Sequence, residues 1–190
     1  MAIVLASQSP RRQELLQRIG VEDFKTLSLD IDESYPEGLS PEDTVRYIAK
    51  KKCDAAAALC APDDLIITAD TMVFLDNDRL GKPRDEEDAL RMLRALSGRG
   101  HTVCTGVSVR CGETSELFAV STRVFFRPAT DDEIRAYIKT GEPMDKAGAY
   151  GVQSRGALFV ERIDGDFFNV MGLPVEQLGL VLARFGVKLL

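Results

Sequence analysis

Arg11 and Arg12 follow Ser9-Pro10 in the segment IVLASQSPRRQELLQRIG (residues 3–20), and their position there is chemically unusual. Ser9 suits a helix N-cap and Pro10 the first helical position, so both guanidinium groups fall in the first turn. They sit beside unpaired backbone N–H groups that carry the positive end of the helix dipole. A cation there costs a few tenths of a kcal/mol, up to about 1. A bound anion reverses the sign, because backbone donors, dipole and both guanidinium forks would converge on one phosphate group. Two solvated arginines on a surface helix are the plain alternative. The strand, Ser-x-Ser-Pro turn and helix together favour the anion.

Further residues could add chemistry. Asp70 follows an uninterrupted apolar strand, a placement typical of a paired core carboxylate or a site residue. A carboxylate there can accept a proton from water or bind a hard cation such as Mg²⁺. Glu33, in DIDES, is a candidate partner, although an acidic run before Pro36 also suits a solvated loop. Lys52 closes the run Lys50-Lys51-Lys52, ordinarily a solvated helix face, but one of the three lies beside the apolar stripe. Lys82, between Gly81 and Pro83, is projected by a constrained turn. Gln153 offers an amide donor and acceptor, the pair needed to read a pyrimidine edge, and Thr71 a hydroxyl; routine turn hydrogen bonding is the alternative for each. His101 is the single histidine, and no GxSxG elbow accompanies it, which argues against a nucleophilic triad. GxxxxGK[ST] and a strand-linked GxGxxG are also missing, so any phosphate cradle is of another kind.

The elements that must position these groups read as mixed α/β. Residues 3–5 form a buried strand, and Leu15, Leu16 and Ile19 give the first helix its apolar stripe up to Gly20. Residues 25–31 (KTLSLDI) alternate as a second strand. Ser40-Pro41-Glu42-Asp43 starts a helix that runs to about Leu59, and residues 65–68 form a strand reaching Asp70. Residues 72–75, an Asp76-Asn77-Asp78 turn and Leu80 suggest a hairpin. Asp85, Glu86, Glu87 and Asp88 open a helix that stops at Ser97-Gly98. Strands follow at 101–110, 116–126 and 158–163, interrupted by a helix that Thr130-Asp131-Asp132-Glu133 caps and that ends near Gly141. Residues 174–185 form the last helix, with Leu178, Val181 and Leu182 inward.

At 190 residues, 45% hydrophobic and 28% charged, the chain suits one generous domain or two small lobes sharing a core. A net charge of −6 disfavours a nucleic-acid or membrane surface, and favours a small anionic ligand held by local basic groups. No apolar run approaches the roughly 20 residues that span a bilayer, and the start of the chain lacks a signal-peptide pattern; the expected location is cytoplasmic. Cys53, Cys60, Cys104 and Cys111 lack metal-knuckle spacing and are expected as reduced thiols. No repeat or linker divides residues 1–190, which are treated as a single domain.

Several stretches carry a resemblance: LASQSPRRQELL (5–16), DIDES (30–34), ADTMV (69–73), GKP (81–83), LSGRGHTVCTGV (96–107), GEPMDKAGAYGVQ (141–153) and IDGDFFNVMGLP (163–174). In this order they resemble the Maf (septum-formation-inhibitor-like) nucleotide pyrophosphatases over essentially the whole chain. The YGVQ form with Gln153, the ADT triplet and the GDFFNVMGLP ending are similar to the dTTP/UTP branch; a 7-methyl-GTP branch is expected to differ at the positions of Arg11, Thr71 and Gln153. Gly100 and Cys53 depart from the expected Thr and Ala. The resemblance implies a two-lobed, mixed-sheet α/β fold with a central cleft, similar to the inosine-triphosphate pyrophosphatases. It implies hydrolysis of a nucleoside triphosphate to the monophosphate and pyrophosphate, with a divalent cation (Mg²⁺, Mn²⁺ or similar) as cofactor. By the same resemblance Asp70 activates water, and Glu33 joins it in holding the metal. Ser7, Arg11, Arg12, Lys52 and Lys82 bind the triphosphate, while Arg11, Thr71 and Gln153 set base choice. Family members are often dimers, so a homodimer is among the expected assemblies, though no apolar patch marks its interface. A regulator of septum formation with incidental hydrolysis is the alternative from another class.

Overall fold

An apolar run of eleven residues, interrupted only by Thr68, Asp70 and Thr71, forms the strand β3 (Leu65–Leu75), the element on which the candidate residues depend. The computed structural model describes residues 1–76 and 78–190, so the expected turn at Asp76-Asn77-Asp78 has its middle residue, Asn77, outside the described residues. In chain order the elements are β1 (Ile3–Leu5), α1 (Pro10–Arg18), β2 (Phe24–Thr26), α2 (Pro41–Ala57), β3, β4 (Asp78–Leu80), α3 (Glu86–Leu96) and β5 (Gly100–Cys111). They continue with β6 (Thr114–Phe126), α4 (Asp131–Ile138), three short 3-10 turns, β7 (Val160–Asp164), α5 (Phe167–Met171) and α6 (Val175–Arg184). The strand order is β2-β1-β3-β5-β6-β7, with β4 paired to β3. Among the described residues no helix is long and apolar enough to cross a membrane.

The chain forms two compact units, Met1–Asp70 with Thr105–Val120 and Gly172–Leu190, and Thr71–Cys104 with Ser121–Met171. Their segments interleave, so no single cut of the sequence separates them. In the first unit β1 pairs in parallel with both β2 and β3, each connection returning through a helix. Helix α2 starts where expected, because the Ser40 hydroxyl accepts the Asp43 N–H at 3.1 Å. Its buried face, Thr44, Val45, Ile48, Ala49, Cys53 and Ala56, lies directly on the sheet. The Thr68 hydroxyl donates to the Ala49 carbonyl at 2.7 Å. On β5, a Cβ added to Gly106 would stand 2.3 Å from the Val45 carbonyl carbon and oxygen, so only glycine allows the helix this close.

The second strand is shorter than its alternation suggests: Phe24–Thr26 pairs with β1, and residues 28–31 are irregular. The reason is its partner. β1 ends at Leu5, and after the Leu27 N–H has bonded to the Leu5 carbonyl the ladder has nowhere to continue. Leu27 and Leu29 still point inward, packing on Ala6, Cys53, Ala56 and Ile66, which explains the alternation without a strand.

The second unit builds its own core from Val73, Leu75 and Leu80 of the β3–β4 hairpin, Leu90, Leu93 and Leu96 of α3, and Ile134, Tyr137 and Ile138 of α4. The expected capping box at α4 is present, Glu133 N–H to the Thr130 hydroxyl and Thr130 N–H to the Glu133 carboxylate. β7 begins at Val160, two residues later than the sequence suggests, because Arg155–Phe159 close a 3-10 turn. The short helix α5 has too few residues to show a period.

Candidate active site

Strand and helix periodicities together place one lysine on one carboxylate. Thr68 and Asp70 share a face of β3, while Ala49 and Lys52 are neighbours one turn apart on α2. Once Thr68 is bonded to Ala49, the next step along both elements brings the Lys52 ammonium to 2.8 Å from Asp70 Oδ1. The same ammonium lies 2.9 Å from Glu33 Oε1. The three consecutive lysines thus part ways: Lys50 pairs with Asp54 on the outside, Lys51 reaches Asp32 and the Ser34 carbonyl, and Lys52 turns inward. Lys51 and Lys52 pin the irregular acidic segment, whose Asp32 carboxyl is held below its usual range by hydrogen bonds from Ser34 and Lys51.

Asp70 is 6% exposed, and its Oδ2 is buried with no hydrogen-bond partner among the described residues. A buried carboxylate oxygen left unsatisfied is costly unless something else uses it. Asp70 and Glu33 offer the oxygen donors that hard cations take, and the uncommitted Oδ2 fits such a ligand. Among the described residues no group of three or more His, Cys, Asp and Glu side chains could hold a metal alone. Two carboxylates supplemented by substrate phosphates is a usual Mg²⁺ arrangement.

The first turn of α1 carries no acidic residue, and Ser9, though at the N-cap, makes no side-chain capping bond. The Ser7 hydroxyl accepts the Ser9 N–H and an Arg12 Nη1–H, both at 3.2 Å. Arg12 also donates from Nε to the Gly172 carbonyl at 2.8 Å. Burial pulls the Arg12 guanidinium below its ordinary pKa; the negative charge of Asp70 opposes that, Arg11 adds to it, and Glu33 opposes it again. Arginine stays charged regardless. The electrostatic conflict visible in the sequence is thus eased by a main-chain oxygen and two carboxylates. Ser7 and Arg12 form one hydrogen-bonded pair and Glu33, Lys52 and Asp70 one ion-paired group, linked by the charges of Asp70 and Glu33 acting on Arg12, with Arg11 half-buried next to Arg12 on α1. The Gly172 carbonyl was invisible in sequence, because every residue has one.

Thr71, Lys82 and Gln153 belong to the second unit. Thr71 is half-buried and follows Asp70 on β3, pointing to the opposite face by strand geometry. Lys82 is exposed on its turn, which is anchored by the Gly148 N–H donating to the Gly81 carbonyl at 3.0 Å. Gln153 is exposed in the loop after Gly151. That loop converges on Glu142, a residue sequence reasoning passed over inside GEPMDKAGAY. His101 is a core residue: 2% exposed, its Nε2 2.8 Å from the Tyr150 hydroxyl, edge-on to Phe126 and Tyr150. Burial pushes its pKa down to about 4, so it is neutral near pH 7. The four cysteines are free.

The sequence profile of the family described as Maf-like protein matches residues 2–185. Proteins named dTTP/UTP pyrophosphatase are similar over nearly their full length. One from Bacillus velezensis is 47% identical, covering 98% of this chain and 97% of its own. One from a Geobacillus species is 48% identical, covering 97% and 98%, and one from Dictyoglomus turgidum is 48% identical, covering 99% and 98%. Among solved structures, a Ham1 protein from Staphylococcus aureus aligns over 97% of this chain and 100% of its own, with a TM-score of 0.54 at 14% identity. A HAM1 protein from Coxiella burnetii covers 97% and 99%, with a TM-score of 0.52 at 14% identity. These two carry the fold alone, and the expected mixed α/β, Ham1/ITPase-like architecture is borne out.

Proposed function

The chain belongs to the Maf-like protein family, and from that premise we propose that it hydrolyses dTTP and UTP to the nucleoside monophosphate and pyrophosphate. The names of relatives at 45–48% identity support the substrate. The observation that carries the chemistry is Asp70: one carboxylate oxygen is held by Lys52, and the other is buried and uncommitted among the described residues. In this reading Lys52 fixes the carboxylate plane through Oδ1, and Oδ2, which has one lone pair for a bound cation and a second for water, accepts the proton as water adds to phosphorus and the α–β phosphoanhydride bond breaks. The departing pyrophosphate carries the bond's electron pair. Asp70 and Glu33 would hold a divalent cation, Mg²⁺ or Mn²⁺, which supplies charge neutralisation at the phosphate oxygens when bound. Ser7, Arg11, Arg12, Lys52 and Lys82 bind the triphosphate, and fixed donors of this kind act chiefly by positioning and by dispersing developing charge. Arg11, Thr71 and Gln153 recognise the base, Gln153 through its paired donor and acceptor. A cytoplasmic location suits the four free thiols and a nucleotide substrate.

A panel of purine and pyrimidine nucleoside triphosphates with Mg²⁺ or Mn²⁺, read for pyrophosphate, tests the proposal. Pyrophosphate release from dTTP and UTP ahead of the purines is expected; orthophosphate release, or no turnover of either pyrimidine, overturns it.

A further inference from the structure

Gln153 stands in a loop whose two ends are tied to one carboxylate. Glu142 opens the 3-10 turn Glu142–Asp145, immediately after Gly141, whose φ of 74° ends the preceding helix. Its Oε1 accepts the Ser154 hydroxyl at 2.6 Å, the Tyr137 hydroxyl at 2.8 Å and the Gly156 N–H at 3.2 Å. Its Oε2 accepts the Arg155 N–H at 3.3 Å. The Tyr137 hydroxyl in turn accepts the Gly151 N–H at 3.2 Å. The chain before Gln153 therefore hangs from Glu142 through one phenol, and the chain after it hangs from Glu142 directly.

The base of the loop is also pinched. A Cβ on Gly156 would lie 2.4 Å from the Gly151 carbonyl oxygen and 2.9 Å from its nitrogen, so the two backbones touch. Val152 is buried while Gln153 and Ser154 project outward. Burial raises the Glu142 carboxyl, but hydrogen bonds from Ser154, Tyr137, Gly156 and Arg155 outweigh it and hold the group below the usual range. Burial and Glu142 push the Tyr137 phenol upward, so it remains a donor.

We propose that Glu142 is a positioning residue for base selection, holding residues 151–156 in the shape that presents the Gln153 amide to the nucleobase. This rests on the reading above, in which Gln153 recognises the base. An amide discriminates between bases only while its donor and acceptor stay within a fraction of an ångström of their places. An exposed loop tip does not hold such a position unaided. A carboxylate suits this task because it only accepts, and all four groups facing it donate. Glutamine at position 142 would turn an NH₂ toward at least one of those donors, and a backbone N–H cannot rotate to accommodate it.

The test is Glu142→Gln, assayed on dTTP and dGTP. Losing charge-assisted bonds of this kind should lower kcat/KM for dTTP about tenfold or more, mainly through KM, and reduce the dTTP-to-dGTP preference by a similar factor. Ser154→Ala, which removes one exposed donor, should move both quantities in the same direction by less. In a Gln153→Ala background Glu142→Gln should leave the preference unchanged, because the residue through which it acts is gone. In the nucleotide-free protein, amide exchange over residues 151–156 should quicken in Glu142→Gln. Equal loss on every triphosphate with the preference intact, or unaltered exchange in that loop, overturns the proposal. A wild-type preference for another base would instead refute the pyrimidine reading, and the same comparison made with the preferred base would then decide the role of Glu142.

Discussion

Lys52 donates to only one oxygen of Asp70, at 2.8 Å, and leaves the second oxygen of the same carboxylate buried and, among the described residues, unengaged. The two side chains are 14% and 9% exposed, so the pair operates largely out of water. A salt bridge serving stability alone would be expected to satisfy both oxygens. This one keeps an acceptor in reserve.

Asp70→Asn should therefore separate binding from chemistry. The amide keeps the shape of the side chain and loses its capacity to take a proton, so kcat should fall roughly 10²- to 10⁴-fold while nucleotide affinity changes little. Equilibrium binding beside steady-state rates checks this, and near-normal turnover would remove Asp70 from the role.

Lys52→Met tests the other half of the pair. It leaves Asp70 buried without its cation, which should destabilise the fold by on the order of 3 kcal/mol, whereas Glu33, 55% exposed, contributes little to that cost. Adding Asp70→Asn to Lys52→Met should restore part of the loss. Urea midpoints of the two singles and the double provide the measurement, and simple additivity would mean that the pair is not coupled.

His101 predicts an acid-side stability slope. Its pKa is about 4 in the folded chain against the 6.5 of an ordinary imidazole, so between those values the unfolded state binds more protons. Stability then rises with pH across that window and is lost as pH falls through it, by at most about 3 kcal/mol. His101→Gln keeps a polar partner for Tyr150 and cannot titrate; its unfolding free energy should change less between pH 6.5 and 4 than that of the wild type. An identical slope in both proteins would assign the acid sensitivity to other groups.

Gln153→Glu removes the donor of the amide and adds a negative charge beside a polyanionic substrate. Turnover of dTTP and UTP should fall at least about tenfold in kcat/KM, since a site built to hydrogen-bond its substrate penalises an unpaired polar group heavily. A full panel of triphosphates against this variant decides the matter, and unchanged pyrimidine kinetics would exclude Gln153 from base recognition.

Much of this protein is written locally. The N-cap at Ser40, the capping box at Thr130, the apolar run leading to Asp70 and the glycine stops all depend on residues within a few positions of one another, and each appears where sequence reasoning puts it. The anion reading of Arg11 and Arg12 is local too, because it needs only a helix start and its dipole. The second strand misled because alternation reports which side chains face inward. Whether a neighbouring strand exists to pair with is a separate matter, and here the partner stops at Leu5.

What tertiary structure alone decided are the partners between distant segments. Nothing in Lys50-Lys51-Lys52 tells which lysine turns inward; the packing of α2 on β3 through Thr68 and Ala49, and its close approach at Gly106, selects Lys52. Arg12 finds a main-chain oxygen 160 positions away, which leaves no trace in residue type. Glu142 gathers Ser154, Arg155 and Gly156 because a turn and a pinched loop bring them together. Sequence periodicity records the direction a side chain faces relative to its own element, whereas the identity of the group it meets depends on how whole elements pack, a cooperative outcome of the entire chain.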